Sequence, residues 1–133
     1  MTTELEPYYQ EMGRLALEVA SDDMEVLMIY AEIDTEGLSA DLYYRADDPD
    51  VIHYRLVPPV LEAVIDAYWD AARQLDPKGE WQAMTYVIEE GAFRVVLRYP
   101  DEIDEYEDIA ERRPAAVRAV LGEGVIDYSA PGL

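Results

Sequence analysis

The sequence predicts an α+β fold, with an antiparallel sheet of about five strands and helices packed on one face, in the order α-β-β-β-α-β-β-α. Three short apolar segments follow one another with only tight turns between them, which is typical of an antiparallel meander. Segments with apolar residues at helical spacing flank this meander. Two further alternating segments surround Glu90-Gly91, which is a hairpin pattern.

Two amphipathic helices are predicted in the first part of the chain. The first begins at Thr3, which can cap it, and runs to about Ala20. The second begins at Pro58-Pro59 and ends before residues 76–79, DPKG. The apolar stripes are Leu5, Tyr8, Met12, Leu15, Ala16 and Val19 in the first helix, and Leu61, Val64, Ile65, Tyr68, Ala72 and Leu75 in the second.

Five strands are predicted from alternating or continuous apolar residues. Met24–Ile33 is apolar on both alternating faces, which indicates a central position in the sheet. In the third strand, Ile52, Tyr54 and Leu56 are predicted to face the helices. The predicted strands are Met24–Ile33, Ser39–Arg45, Val51–Val57, Trp81–Glu89 and Ala92–Tyr99.

The last part of the chain is predicted to form one short helix and a loosely docked tail. Ala115–Leu121 has helical spacing, with Pro114 near the first turn and Gly122 as a stop. The tail is GEGVIDYSAPGL. Since no linker or repeat interrupts the pattern, we expect residues 1–133 to form a single domain.

The chain is strongly acidic. It has 30 Asp and Glu against 10 Lys and Arg, for a net charge of −20, and Lys78 is its one lysine. Such a charge repels nucleic acid and anionic membranes, attracts basic partners, and favours a soluble monomer or weak dimer. Halophilic adaptation would give a similar balance. Half of the residues are hydrophobic, which predicts a folded rather than a disordered protein.

The expected location is cytoplasmic. The chain has no cysteine, which excludes disulfides and thiolate sites. The N-terminal residues MTTELEPYYQ lack the basic and apolar regions of a signal peptide. No apolar stretch approaches the roughly 20 residues that span a bilayer.

The sequence predicts no catalytic residues, no metal site and no cofactor, and thus no enzyme. His53 is the one histidine, so zinc and Ser-His chemistry are disfavoured. A calcium loop that starts at Asp101 or at Asp47 has the wrong residues at its ligand positions. The glycines are scattered and form no phosphate-binding loop.

One face of the predicted sheet is expected to carry positive charge. If the apolar alternation faces the helices, the opposite face carries Arg45, His53, Arg55, Arg94 and Arg98. These residues could bind an anion or a small molecule. A solvated sheet face with compensating salt bridges would carry the same residues, so both interpretations stay open.

Two acidic segments are candidate docking surfaces for a basic partner. The first, the acidic connector (residues 101–111), has Ile103, Tyr106 and Ile109 at helical spacing and acids at most other positions. Its acids are Asp101, Glu102, Asp104, Glu105, Glu107, Asp108 and Glu111. The second, the acidic turn, consists of Asp47, Asp48 and Asp50. A solvated connector and ordinary turn chemistry would explain the two segments equally well.

Short sequence motifs spread over most of the chain resemble those of the YezG-like antitoxin (immunity) family of bacterial polymorphic toxin systems. In the first half they are a Tyr-bearing first helix, Tyr30–Ile33 (YAEI) and Leu42–Arg45 (LYYR). In the second half they are Trp81, Gly91, Phe93, Tyr99, Asp101, Glu111-Arg112-Arg113 and Leu121-Gly122. Pro100, Pro114 and the near absence of lysine depart from the family pattern.

The resemblance implies a small, non-enzymatic, acidic protein that neutralises a cognate toxin domain, often a nuclease. Asp101 and Glu111 match acidic positions in the motifs of the family. The acids between them are included in the candidate docking surface because of their charge alone. Charge agrees with this function, because nucleases are basic and an acidic inhibitor associates with them rapidly. An anion-binding domain and a halophilic acidic domain are the alternatives.

Overall fold

The computed structural model describes residues 4–34, 37–76, 79–103 and 108–128. Three α-helices and six strands form within these ranges, so the predicted α+β class and element order are confirmed. The elements are α1 (Glu6–Val19), β1 (Val26–Asp34), β2 (Gly37–Arg45), β3 (Val51–Leu56), α2 (Pro59–Leu75), β4 (Ala83–Glu89), β5 (Ala92–Arg98), a 3-10 turn (Pro100–Glu102), α3 (Ile109–Leu121) and β6 (Val125–Asp127).

The strands form one sheet in the order β5-β4-β1-β2-β3-β6. All neighbours are antiparallel except β3 and β6, which are parallel. β1 lies at the centre, as its continuous apolar run predicts, and its residues Val26–Glu32 are all buried. At the β4–β5 hairpin, Glu90 and Gly91 both have positive φ, which matches the strand twist and fits the predicted turn.

The helices cover both faces of the sheet, so the prediction that they share one face is wrong for α3. Tyr9 of α1 and Ile65 of α2 belong to one buried core, with Ile29 of β1. Val117 of α3 belongs to a second core on the other face, with Met28 of β1. The sheet is therefore the middle layer of three, and β1 is buried on both sides.

The faces predicted for β3 are also wrong. Tyr54 lies opposite Tyr43 and packs on the α3 side, whereas His53 lies opposite Tyr44 on the side of α1 and α2. Residues opposite each other across antiparallel strands share a face, so the pairing fixes the assignment. Leu56, predicted to point inward, is 52% exposed.

The C-terminal part has more regular structure than predicted. α3 begins at Ile109 rather than near Ala115, because the Asp108 side chain accepts a hydrogen bond from the Ala110 amide and caps the helix. Pro114 consequently lies inside the helix. Val125–Asp127, predicted to be part of a loose tail, forms β6 on the edge of the sheet.

Candidate functional site

A buried ion pair joins β1 to α3. Arg112 donates from Nε and Nη2 to the carboxylate oxygens of Glu32 at 2.8 and 2.7 Å. The Tyr30 hydroxyl donates to the same carboxylate. Burial by itself would raise the pKa of Glu32, but the hydrogen bonds from Arg112 and Tyr30 outweigh it and hold that pKa below its usual range. The positive charge of Arg112 is therefore compensated within the fold by the carboxylate of Glu32.

A second ion pair lies beside the first. Arg113 Nε lies 2.9 Å from a carboxylate oxygen of Asp41 on β2, and the Arg113 Nη2 donates to the Ser39 hydroxyl at 3.3 Å. The Tyr54 hydroxyl donates to Asp41 at 2.8 Å, and burial together with this bond raises the pKa of Tyr54 to about 12. The two adjacent arginines of α3 thus tie its N-terminal half to β1 and β2.

The other end of α3 is held by an arginine of the sheet. The Arg45 Nη1 donates to the carbonyl oxygen of Leu121, the last residue of α3. Helix C-terminal carbonyls lack intrahelical donors and carry partial negative charge, so a guanidinium satisfies and stabilises them. Arg45, predicted as part of a ligand-binding face, therefore has a structural contact.

The predicted cationic face is split between the two sides of the sheet. Arg45, Arg94 and Arg98 lie opposite residues of the α3-side core, at Val26, Val87 and Ala83. His53 and Arg55 lie on the other side because β3 presents the opposite alternation from the one predicted. The structure therefore does not bring these five residues together.

His53 and Arg55 both contact Tyr44. The His53 ring stacks on the Tyr44 ring at 4.8 Å between centroids. The Arg55 guanidinium lies 5.3 Å from the Tyr44 ring centroid, and its Nη2 donates to the Tyr44 hydroxyl at 3.0 Å. Because Tyr44 is 1% exposed, this group forms the edge of the core rather than an open anion site.

The acidic turn lies between β2 and β3, and its three carboxylates are exposed. Asp48 Oδ1 accepts a hydrogen bond from the Asp50 amide at 3.0 Å, which is ordinary turn chemistry. The Asp50 carbonyl oxygen accepts from the Val125 amide and so begins the pairing with β6. The turn is therefore hydrogen-bonded to the edge strand of the sheet.

The described part of the acidic connector contains a 3-10 turn and the start of α3. Glu102 Oε1 accepts a hydrogen bond from the Tyr99 amide at 2.9 Å, and Asp108 caps α3. Asp101 and Glu111 are exposed. The remaining predicted docking acids, Asp104, Glu105 and Glu107, lie outside the described residues, as does Tyr106 of the predicted apolar stripe.

The two acidic segments lie at opposite ends of the sheet. The acidic turn follows Arg45, which pairs with Val26 at the start of β1. The connector follows Arg98, which pairs with Ala83, and Ala83 pairs with Glu32 near the end of β1. Strand rise and strand spacing put the two segments roughly 25 Å apart. They therefore cannot form a single carboxylate cluster.

An open groove of about 1260 Å³ lies between α1, the end of α2 and the end of β5. Its lining includes Leu5, Tyr9, Tyr68, Ala72, Leu75, Leu97 and Tyr99, with Asp76, Glu80, Asp101 and Glu102 among the polar residues. The hydroxyls of Tyr9 and Tyr68 are 2.9 Å apart. Burial, together with this hydrogen bond, raises the pKa of Tyr68 well above its ordinary value, so the hydroxyl stays neutral.

The sequence did not reveal the groove, because its walls come from residues far apart in the chain. The sequence places Tyr68 and Leu75 in an apolar helix stripe, and Leu97 and Tyr99 in the last predicted strand. The sequence feature that could have indicated the groove is Tyr99-Pro100-Asp101, where the acidic connector directly follows the last predicted strand.

No family model matches this chain, and no curated protein matches it. Among the residues that the structure describes, no three carboxylate or imidazole side chains are grouped so that they could hold a metal ion. Within the same ranges, none of the helices is both long and apolar enough to cross a bilayer.

Arginine side chains are turned inward or paired over most of the described structure. Six carboxylates form ion pairs with arginine in the described ranges: Glu11, Glu18, Glu32, Asp41, Asp70 and Glu89. Other arginines donate to main-chain oxygens, as Arg45 and Arg98 do. Most of the acids in the described ranges are exposed to solvent.

Proposed function

We propose that this chain is a non-enzymatic immunity protein of YezG-like type, which binds and neutralises a basic toxin domain through its carboxylate-rich surface. The expected toxin activity is that of a nuclease. The observation that carries the proposal is that arginines and acids lie in different environments. Arg112, Arg113 and Arg45 serve the fold, whereas the acids of the turn and the described acids of the connector face solvent. The described surface thus carries more negative than positive charge, although Arg14, Arg73 and Arg94 are exposed and paired with acids.

Such a surface suits an inhibitor of a phosphate-binding enzyme. A nuclease cleft is lined by cations that attract a polyanion, and carboxylates on a rigid scaffold can occupy the same cations. Opposite charges also speed the encounter, which matters when a toxin must be captured before it acts. The fixed conformations of Asp48 and Glu102 lower the entropy cost of presenting these acids.

The anion-binding alternative has little support in this arrangement. Arg55 is engaged with Tyr44, Arg94 with Glu89, and Arg98 with the Glu102 carbonyl oxygen. A bound anion would have to compete with these contacts and with the surrounding negative charge.

The proposal is tested by capturing the partner from the native host and measuring its affinity for the purified chain. We expect a basic protein whose dissociation constant rises at least tenfold between 50 and 500 mM NaCl, mostly through a slower association rate. An equimolar amount of the chain should abolish the toxic or nuclease activity of that protein. An acidic partner, or an affinity indifferent to salt, would refute the proposed mechanism.

A further inference from the structure

The groove between α1, α2 and β5 combines an apolar floor with an acidic edge. We propose that it seats a basic amphipathic segment of the partner protein, in which an apolar or aromatic side chain is flanked by Lys or Arg. This inference rests on the proposed function and deepens it, because it names the place where the basic partner docks.

The floor of the groove suits an apolar anchor. Tyr9 is 6% exposed and Tyr68 is fully buried, and their hydroxyls share one hydrogen bond, so the floor is formed mainly by ring carbon atoms. Leu97 lines the same space, and Leu75 is 46% exposed at its edge. A side chain inserted here removes its own apolar surface and that of Leu75 from water.

The edge of the groove suits cations. Glu80, Asp101 and Glu102 line it, and no Lys, Arg or His is present among the described lining residues. Lys78, adjacent in sequence, lies outside the described ranges. Within the 3-10 turn, Glu102 accepts the Tyr99 amide hydrogen, which orients its carboxylate. Lys or Arg beside an apolar anchor would meet carboxylates and tyrosine rings together.

The charge argues against the other occupants of an apolar groove. A second copy of this chain also has a net charge of −20 and would be repelled. An anionic lipid surface would be repelled for the same reason. The acidic turn has comparable charge, but its residues do not line this groove, so it can steer a partner without being part of the anchor site.

The first test compares two exposed leucines in the affinity for the captured partner. Leu75→Ser removes the apolar edge of the groove, and we expect about tenfold weaker binding that persists at 500 mM NaCl. Leu17→Ser is the matched control, because Leu17 is 49% exposed on α1 and does not line the groove. Its affinity should stay within twofold of the unchanged protein.

The second test removes the same charge at two places. Glu80→Gln combined with Asp101→Asn should weaken binding about threefold to tenfold at 50 mM NaCl, and less at 500 mM. The control, Glu62→Gln with Asp66→Asn, alters two acids of α2 outside the groove. If the partner binds all variants as tightly as the unchanged protein, the groove inference fails and the proposed function stands.

A short peptide tests binding in the groove when no partner protein has been captured. Ac-Arg-Phe-Arg-NH2, titrated against the isotope-labelled chain, should shift the amide NMR signals of Gly79, Leu97 and Tyr99, and Leu75→Ser should reduce the shifts. Ac-Arg-Ser-Arg-NH2 and Ac-Glu-Phe-Glu-NH2 should have little effect there. Binding of the first peptide in the groove, with no basic protein found in the host, would refute the proposed function only. Shifts confined to the acidic turn, or none, would refute the groove.

Discussion

Glu32 and Arg112 show how a charged pair can be buried in an acidic protein. Both carboxylate oxygens of Glu32 accept from Arg112, and Tyr30 supplies a third donor. Removing one partner would leave the other charge buried without compensation, which costs far more than the pair contributes when intact. Arg14, in contrast, pairs with Glu11 and Glu18 on the exposed surface of α1, where ion pairs are weak.

We expect Arg112→Ala to lower the free energy of unfolding by about 3–5 kcal/mol. Arg14→Ala, the surface control, should change it by less than about 1 kcal/mol. The double variant Glu32→Gln with Arg112→Met should be more stable than Arg112→Ala alone, since it leaves no buried charge. Urea denaturation measures all three, and equal losses for Arg112→Ala and Arg14→Ala would contradict the burial argument.

The same pair makes stability depend on pH. Because the folded pKa of Glu32 lies below its ordinary value of 4.5, this carboxylate stabilises the fold above about pH 4.5. That contribution is lost as the pH falls through the folded pKa. The difference in unfolding free energy between the unchanged protein and Glu32→Gln should therefore narrow below pH 4.5. A difference that is constant from pH 7 to pH 3 would show that the pKa of Glu32 is the same in the folded and the unfolded state.

Among the elements, α3 depends on a residue that was predicted to bind a partner. Asp108 caps the helix, and its side chain accepts from the Ala110 amide at 2.8 Å. Asp108→Ala should lower the free energy of unfolding by about 1 kcal/mol, whereas Asp108→Asn should keep the cap and cost only a few tenths. Thermal denaturation distinguishes the two variants. If Asp108→Asn is as destabilising as Asp108→Ala, then the negative charge of Asp108, and not its capping hydrogen bond, stabilises the helix.

β1 and β3 show what the sequence could and could not predict. The apolar run of β1 correctly indicated a central strand, because only burial on both sides tolerates it. Alternation in β3 correctly grouped Ile52 with Tyr54 but could not tell which face they occupy, since that depends on pairing with Tyr43.

Contacts between distant parts of the chain explain the other differences. β6 is three residues long and depends on parallel pairing with β3, so its sequence carried almost no signal. The groove likewise needs the fold to bring Leu75 and Tyr99 together. The helix start at Ile109 was readable in principle from Asp108, but Pro114 suggested a later start.

At the scale of the whole molecule, exposed acids lie at both ends of the sheet, so repulsion between like charges is not confined to one patch. We expect the unfolding midpoint to rise by about 5 °C between 10 and 150 mM NaCl, as the screening length falls from about 30 to about 8 Å. The gain should be smaller at pH 4.5, where carboxylates are partly protonated. Stability that appears only in molar salt would instead favour halophilic adaptation.

The placement of α3 also determines the order in which the fold can be completed. Glu32 and Arg112 are 80 residues apart, and chains are synthesised from the N-terminus. β1 and β2 therefore exist well before the helix that covers their second face. A nascent chain that has reached β5 can bury Ile29 under α1 and α2, but it still presents Met28 and Tyr43 to water or to a chaperone. Emergence of α3 from the ribosome removes that exposure.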